Sequence, residues 1–466
     1  MYHDTIMKQW CEEHRMRAPS TKDEPAFYRN IERALDVRRQ SSNFVALKPR
    51  WDDTVADFTS ADFLSLTRTG QIREAFLEEL EKQPDFELGA SGSRCQYGNY
   101  AYINQVEEEI AAFHGAETAF ITSSTYAANL GVLSSVPLAG DAIVYDELVH
   151  ASSHEGFSLS LAEQKVAFRH NDPDGLREVL ARLREEKPAL RNGTKSVLIC
   201  VESIYSMEGD LCRLKELVQV AEEEFPLGNA QFIMDEAHSV GILGERGRGL
   251  VSMLGLEDSI AIRVHAASKA VGAVGGFIMA RRSIRSMIIN NARSLTYSCA
   301  PSFPMAASIR AGYKLLMNGQ TQIAQERIQE NVKQLLGLLS SSPKIDEARD
   351  EGILLIPQLD DWAQRPVQTH IIPLVCTRPR HELFLFFHLL SNGFNSYPFV
   401  FPVVPKGLSR VRLVVHAHNT PEQIKRLVAV ICGWAQEILD IESGESGKQL
   451  PSAALQLQTM QDSLST

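Results

Sequence analysis

Ile262-Arg263-Val264-His265-Ala266-Ala267-Ser268-Lys269-Ala270-Val271-Gly272, closed by Gly275-Gly276, delivers one lysine at the end of an apolar, strand-like run. The run covers residues 260–267, and the loop after it is made of small residues, so little bulk surrounds the amine. A lysine in such a place can be desolvated, which lowers its pKa and makes it a usable nucleophile and base. Taken alone it reads as a surface lysine after a core strand. The upstream residues change that reading.

Three more apolar runs end in polar residues. Phe232-Ile233-Met234 leads into Asp235-Glu236-Ala237-His238, Val197-Leu198-Ile199-Cys200-Val201 into Glu202-Ser203 with Ser206 beyond, and Ile143-Val144-Tyr145 into Asp146-Glu147-Leu148-Val149-His150. Polar groups at the carboxyl ends of successive strands are where open α/β sheets place ligands. An aspartate and a lysine from nearby strand ends are what a pyridoxal phosphate (PLP) site needs. The lysine forms the Schiff base, and the carboxylate keeps the pyridine nitrogen protonated so that the ring withdraws electrons.

These residues resemble the α-oxoamine synthases, fold-type I PLP enzymes that include 8-amino-7-oxononanoate synthase and serine palmitoyltransferase. The resemblance runs from about Asp62 to His418, with landmarks in family order: Gly92-Ser93-Arg94 with Gly98-Asn99, Asp146 and His150, Glu202 to Asp210, Asp235 and His238, Lys269, and Arg412. It implies an α/β fold with a mostly parallel sheet in a large PLP-binding domain, followed by a small α+β domain. It also implies a homodimer whose sites lie at the subunit boundary.

Length and composition set bounds. The chain has 466 residues, enough for one large and one smaller domain, and its 44% hydrophobic and 23% charged content is that of a globular protein. A net charge of −11 with dispersed basic residues argues against nucleic acid or an anionic membrane as partner. Seven scattered cysteines without a CxxC pair fit a reducing compartment rather than a disulfide framework or zinc site. No apolar run approaches a membrane span and Met1-Tyr2-His3-Asp4-Thr5 lacks a signal-peptide core, so a cytoplasmic protein is expected.

Along the chain, residues 1–57 are mixed and charged, with a helix expected over 26–40 and breaks at Glu24-Pro25 and Pro49-Arg50-Trp51. The resemblance makes this an N-terminal arm that packs on a partner subunit. The PLP-binding domain is expected over 58–304, the small domain over 305–441 with the change near Pro304, and a disordered Ser-, Gly- and Gln-containing tail over 442–466. Helices are expected at 103–114, with Glu107-Glu108-Glu109 largely exposed, and at 174–186, 214–224, 306–317, 380–391 and 421–438. Ser124-Thr125-Tyr126 opens a helix after a short strand; small and hydroxyl residues at a helix start suit a phosphate. His150 and His154 form an H-x-x-x-H pair, but no third ligand is evident and no metal is expected.

The resemblance assigns roles. Lys269 holds PLP and removes the α-proton of a small amino acid, whose carboxylate pairs with Arg412. Asp235 serves the ring nitrogen, His150 stacks on the ring, and His238 and Ser206 hydrogen-bond the phenolic oxygen. Ser124, Thr125 and Tyr126 lie toward the phosphate, and Ser298 offers a hydroxyl to the phosphate of the neighbouring subunit. The implied reaction is a decarboxylating condensation with an acyl thioester, on CoA or a carrier protein, giving an α-amino ketone.

Three positions depart from the family pattern: Ile103 and Asn419 where histidines are common, and Ala266 where a threonine is usual. The 92–99 loop and Asn419 are similar to stand-alone fungal members of polyketide-type secondary metabolism. Two other classes stay open at this point: an aminotransferase on the same fold, and a non-catalytic partner subunit, against which Lys269 argues.

Overall fold

A computed structural model describes residues 2–47 and 54–465 of the chain. The break expected at Pro49-Arg50-Trp51 lies outside the described residues. Two compact units emerge. One comprises Ala61–Glu330 with His416–His418; the other gathers Met1–Ser60, Asn331–Val415 and Asn419–Thr466.

The strands, in chain order, are β1 (Ala56–Asp57), β2 (Thr118–Thr122), β3 (Ala142–Asp146), β4 (Gln164–Phe168), β5 (Val197–Glu202), β6 (Ala230–Asp235), β7 (Ile262–Ala266), β8 (Gly276–Ala280), β9 (Leu354–Leu355), β10 (Ile371–Cys376), β11 (Phe394–Asn395), β12 (Tyr397–Phe399) and β13 (Arg410–Val414).

The larger unit is built on a seven-stranded sheet in the order β2-β8-β7-β6-β5-β3-β4. Only β8 runs antiparallel to its neighbours, β2 and β7; the remaining pairs are parallel. Parallel strands need both faces covered, so they read as continuous apolar runs rather than alternating ones. β5 and β7 are buried at every residue. One face packs on the helix Thr125–Ser135 through Phe120, Val132, Leu133, Ile143, Cys200, Ile233, Val264 and Ile278.

The other face of β7 carries Arg263 and His265. His265 Nε2 lies 3.0 Å from Glu236 Oε2, with both side chains fully enclosed. Burial pushes Glu236 up and His265 well down, so the pair stays uncharged or shares one proton.

In the smaller unit, β12-β13-β10-β9 form an antiparallel sheet, and β1 pairs in parallel with β11. The helices His381–Ser391 and Pro421–Glu442 pack together in this unit, the second opened by a Thr420–Gln423 capping box.

Three expectations are corrected. The tail beyond 442 is not structureless: Ser452–Ser465 is helical and packs on the helix Tyr2–Glu13, burying Ala453, Ala454 and Leu457. Apolar residues at that spacing form one helical stripe, which outweighs the polar composition. No domain change occurs at Pro304. That proline sits in the first turn of the helix Phe303–Met317, which packs on Gln71–Glu81 and Ala101–Phe113 of the larger unit, and the units divide inside the helix Gln322–Ser340. Glu107 is buried rather than solvated: it accepts from Arg94 at 2.7 Å, from Arg285 at 3.2 Å and from the Ile121 backbone N–H at 2.8 Å.

Candidate active site

The carboxyl ends of β3, β5, β6 and β7 lie side by side, which brings Asp146, Glu202, Asp235 and the Lys269 loop to one edge of the larger unit. Lys269 is half-buried and its Nζ stands 2.8 Å from His238 Nε2. Phe63 stacks on the His238 ring at 5.7 Å between centroids, fixing the imidazole from the side. The Lys269 loop closes on itself: the Gly272 N–H donates to Lys269 O and the Ala267 N–H to Gly275 O. Gly275 has φ +116°, and a Cβ there would meet Met305 at 2.5 Å, so only glycine passes.

Asp235 is held by two donors. Its Oδ1 accepts from the Ala237 N–H at 2.8 Å, and its Oδ2 accepts from Asn129 Nδ2 at 2.7 Å. Asn129 also donates to Ser152 Oγ at 3.1 Å, and Ser152 Oγ lies 2.7 Å from His150 Nδ1. A relay thus joins His150, Ser152, Asn129 and Asp235. Asn129 sits on the Thr125–Ser135 helix and Ser152 on Ala151–Leu159, helices that pack closely on each other. Sequence reading missed both residues, because helix packing rather than any motif brings them to the aspartate.

His150 is braced a second time: its backbone N–H donates to Glu202 Oε1 at 2.5 Å. Surrounding protein desolvates the ring and pulls its pKa down, with Asp235 opposing, although one side of the residue stays open to solvent. Burial pushes Glu202 well up, and the nearby Asp235 charge adds to this. A neutral imidazole is the form suited to stacking on a ring. The other histidine of the pair, His154, packs on Tyr145 and Phe157 and points to no ligand cluster.

Ser124 caps the Thr125–Ser135 helix, accepting from the Ala127 N–H at 3.0 Å. Thr125 Oγ1 is buried without a hydrogen-bond partner, an exception that calls for a ligand atom or a solvent molecule. Gly276 presses against this turn: a Cβ there would lie 2.7 Å from the Thr125 backbone nitrogen. The helix start is therefore fixed against β8 with its free N–H groups and one orphan hydroxyl together, a set that fits a phosphate. Tyr126 is exposed; its hydroxyl is bonded to Glu155, and its ring meets His150 edge-on at 6.1 Å.

Ser206 lies on the loop between Ile204 and Leu211, which pair as an isolated bridge. That loop is held by His170, which contacts Asp146 at 2.9 Å and Asp210 at 3.2 Å, and by Asn171, which donates to Asp210 at 2.7 Å. Ser298 is exposed on the larger unit. Arg412 belongs to the smaller unit, on β13, where its guanidinium lies 4.8 Å from the Phe399 ring and burial pulls its pKa down to about 10. Of the departures noted, Ile103 and Ala266 are buried in the core. Asn419 serves structure, donating to Asp57 O at 3.0 Å and accepting from Asn331 at 2.9 Å.

The aminotransferase class I and II family model matches residues 53–431. The chain belongs to that family. Aminoacyl transferase sphA of Aspergillus fumigatus is 46% identical over 97% of this chain and 96% of its own length, and the 8-amino-7-oxononanoate synthase of Emericella nidulans is 39% identical over 82% and 90%. Among solved structures, the serine palmitoyltransferase of Sphingomonas wittichii superposes with a TM-score of 0.69 at 26% identity, covering 82% of this chain and 87% of that one. A chain described as SPT with PLP gives 0.70 at 26%, covering 84% and 92%. The family fixes the fold type as a PLP-dependent transferase within the α-oxoamine synthases, and its cofactor as PLP. The orphan Thr125 hydroxyl, the braced Asp235 carboxylate and the Lys269 amine are groups of the kind that cofactor requires. Among the described residues no helix is long and apolar enough to cross a membrane, and no cluster of His, Cys, Asp and Glu could hold a metal.

Proposed function

We propose that this protein joins a small amino acid to an acyl thioester with loss of carbon dioxide, giving an α-amino ketone and a free thiol. The observation that carries this reading is the Lys269–His238 contact of 2.8 Å beside an aspartate held by two donors. When bound, PLP supplies an electron sink for charge developing at the amino acid's α-carbon.

The chain's own residues do the rest. Lys269 holds the cofactor and takes the α-proton. Asp235 keeps a proton on the ring nitrogen, with its orientation set by Asn129. His150 would pack on the ring, and the helix N-terminus at Ser124, Thr125 and Tyr126 would receive the phosphate. His238 and Ser206 hydrogen-bond the phenolic oxygen, and His238 also polarises the thioester carbonyl. Arg412 pairs with the amino acid's carboxylate, for which a guanidinium has the right geometry.

In balance, the α-carbon bonds to the acyl carbon, the thiolate leaves, the original carboxylate departs as carbon dioxide, and a proton returns to the α-carbon. The protein works as a homodimer in which Ser298 serves the neighbouring subunit. Its donor is an acyl chain on CoA or on a carrier protein, the latter in polyketide-type secondary metabolism.

The test is carbon dioxide release from carboxyl-labelled glycine, alanine and serine with a panel of acyl thioesters. Release that needs the thioester and disappears in Lys269→Ala supports the condensation. Amino exchange with a keto acid and no thioester dependence would assign an aminotransferase instead.

A further inference from the structure

The smaller unit contains a cavity of about 310 Å³, within the size range of ligand pockets. Its walls come from three places: the helix Tyr2–Glu13 (Ile6, Trp10), the segment Phe44-Val45-Ala46, and the edge strand β12 with its following loop up to Val403. Leu383 and Phe386 of the helix His381–Ser391 form the floor. The lining is dominated by apolar side chains. The one carboxylate among them with little exposure, Glu382 at 7%, is pushed up by burial and so tends toward its uncharged form. Most of the rim is apolar as well: Val45, Phe401 and Val403 are 73%, 49% and 58% exposed, with the exposed Arg38 beside them. Apolar side chains left open around a concave site mark a place where something binds.

Two observations say what. Phe399 lines the cavity and also lies under the Arg412 guanidinium at 4.8 Å, so one ring separates the cavity from the group assigned above to the amino acid's carboxylate. Moreover, Ile6, Trp10 and Phe44-Val45-Ala46 all precede residue 53, where the match to the shared family begins. Half of the pocket is thus an addition to the common catalytic body, as expected of a substrate-selecting element rather than of the chemistry itself.

We propose that this cavity binds the apolar hydrocarbon portion of a long-chain acyl donor. The inference rests on the proposed condensation. It makes the N-terminal segment a determinant of chain length.

Trp10, in the wall, gives a readout independent of turnover. Titrating the PLP-loaded full-length protein with dibromostearic acid should quench its tryptophan fluorescence. The quenching should be largely absent in Trp10→Phe, and a palmitoyl thioester, not an acetyl thioester, should relieve it. In turnover, Val45→Asp and Val403→Asp, both at the exposed rim where folding is not at stake, should raise the KM for a palmitoyl donor about tenfold relative to that for an acetyl donor, while kcat changes little. Circular dichroism and retained PLP absorbance confirm that each variant is folded.

Absence of Trp10 quenching, or equal effects on both donors, overturns the proposal. Quenching that appears only in a dissociated monomer also overturns it, because the partner subunit then covers the pocket. Failure of the condensation itself would show differently, as no carbon dioxide release with any donor, while Trp10 quenching still reports on the pocket.

Discussion

Asn129 shows how a residue without titratable chemistry can govern a reactive one. Its amide ties Asp235 Oδ2 at 2.7 Å to Ser152 and, through it, to His150. Removing it leaves a carboxylate oxygen without its strongest donor and lets both partners turn. Hydrogen bonds to a charged group are worth about 1.5–3 kcal/mol. If that is felt in the transition state, Asn129→Ala should lower kcat/KM by roughly ten- to a hundredfold. Steady-state kinetics alongside the absorbance of bound PLP separate this from cofactor loss; an unchanged kcat/KM would remove Asn129 from the catalytic relay. Glu107 is the structural counterpart. It pairs with the buried side chain of Arg94 and with the partly exposed Arg285, and 4% of its own side chain is exposed. Breaking such a cluster from one side leaves buried charge unpaired, at a cost of about 3–5 kcal/mol. Glu107→Ala should therefore lower the denaturation midpoint substantially, and urea unfolding checks it.

At the scale of elements, the loop bearing Ser206 depends on a clamp from the end of β3 and the segment after β4. His170 bridges Asp146 and Asp210 and meets Tyr205 edge-on at 4.4 Å, and Asn171 ties Asp210 and the Leu211 carbonyl to the same corner. Burial opposes the charged imidazole, but the two carboxylates override it and raise its pKa from 6.5 to about 10. The folded-state value lies above the unfolded one, so the stabilisation is fully present below pH 6.5 and is lost as pH rises through about 10. The melting temperature of the native protein should exceed that of His170→Ala most at mildly acidic to neutral pH, with the gap closing above pH 10. A constant gap across that range would mean that packing on Tyr205, not charge, holds the loop.

On the scale of the whole molecule, the two ends of the chain meet. The C-terminal helix Ser452–Ser465 buries Ala453, Ala454 and Leu457 against Tyr2–Glu13, and its start is bonded to Glu437 by the Ser452 N–H at 2.9 Å. Ending the chain after Leu450 should expose the N-terminal helix, and with it one wall of the apolar cavity. Limited proteolysis would then cut first within residues 2–47. Cleavage unchanged from the full chain would show that the N-terminal helix is held by its other contacts.

How much could be read without coordinates differs by residue. Lys269, Asp235, His238, His150 and Arg412 stand at the ends or within apolar runs. A parallel sheet needs such runs and also places its polar ends together, so pattern and family order point at the first four, whereas Arg412, on an antiparallel strand of the smaller unit, is reached by family order alone. The helix 26–40 and the strand ending at Asp235 fall where the sequence puts them. Other features could not be read so. Asn129 and Ser152 look like ordinary helical polar residues until two helices pack. Glu107 looks solvated until Arg94 and Arg285 converge on it from far along the chain. Pro304 marks a helix start rather than a boundary, because the boundary depends on which partners that helix finds. Local composition and periodicity, then, determined the sheet and which polar residues stand at its edge, since both follow from backbone hydrogen bonding and apolar burial along single segments, while the roles of those residues came from the family resemblance. Tertiary structure alone decided the relay behind Asp235, the clamp on the Ser206 loop and the pocket under the N-terminal helix, because each is made of contacts between segments that carry no signal of one another.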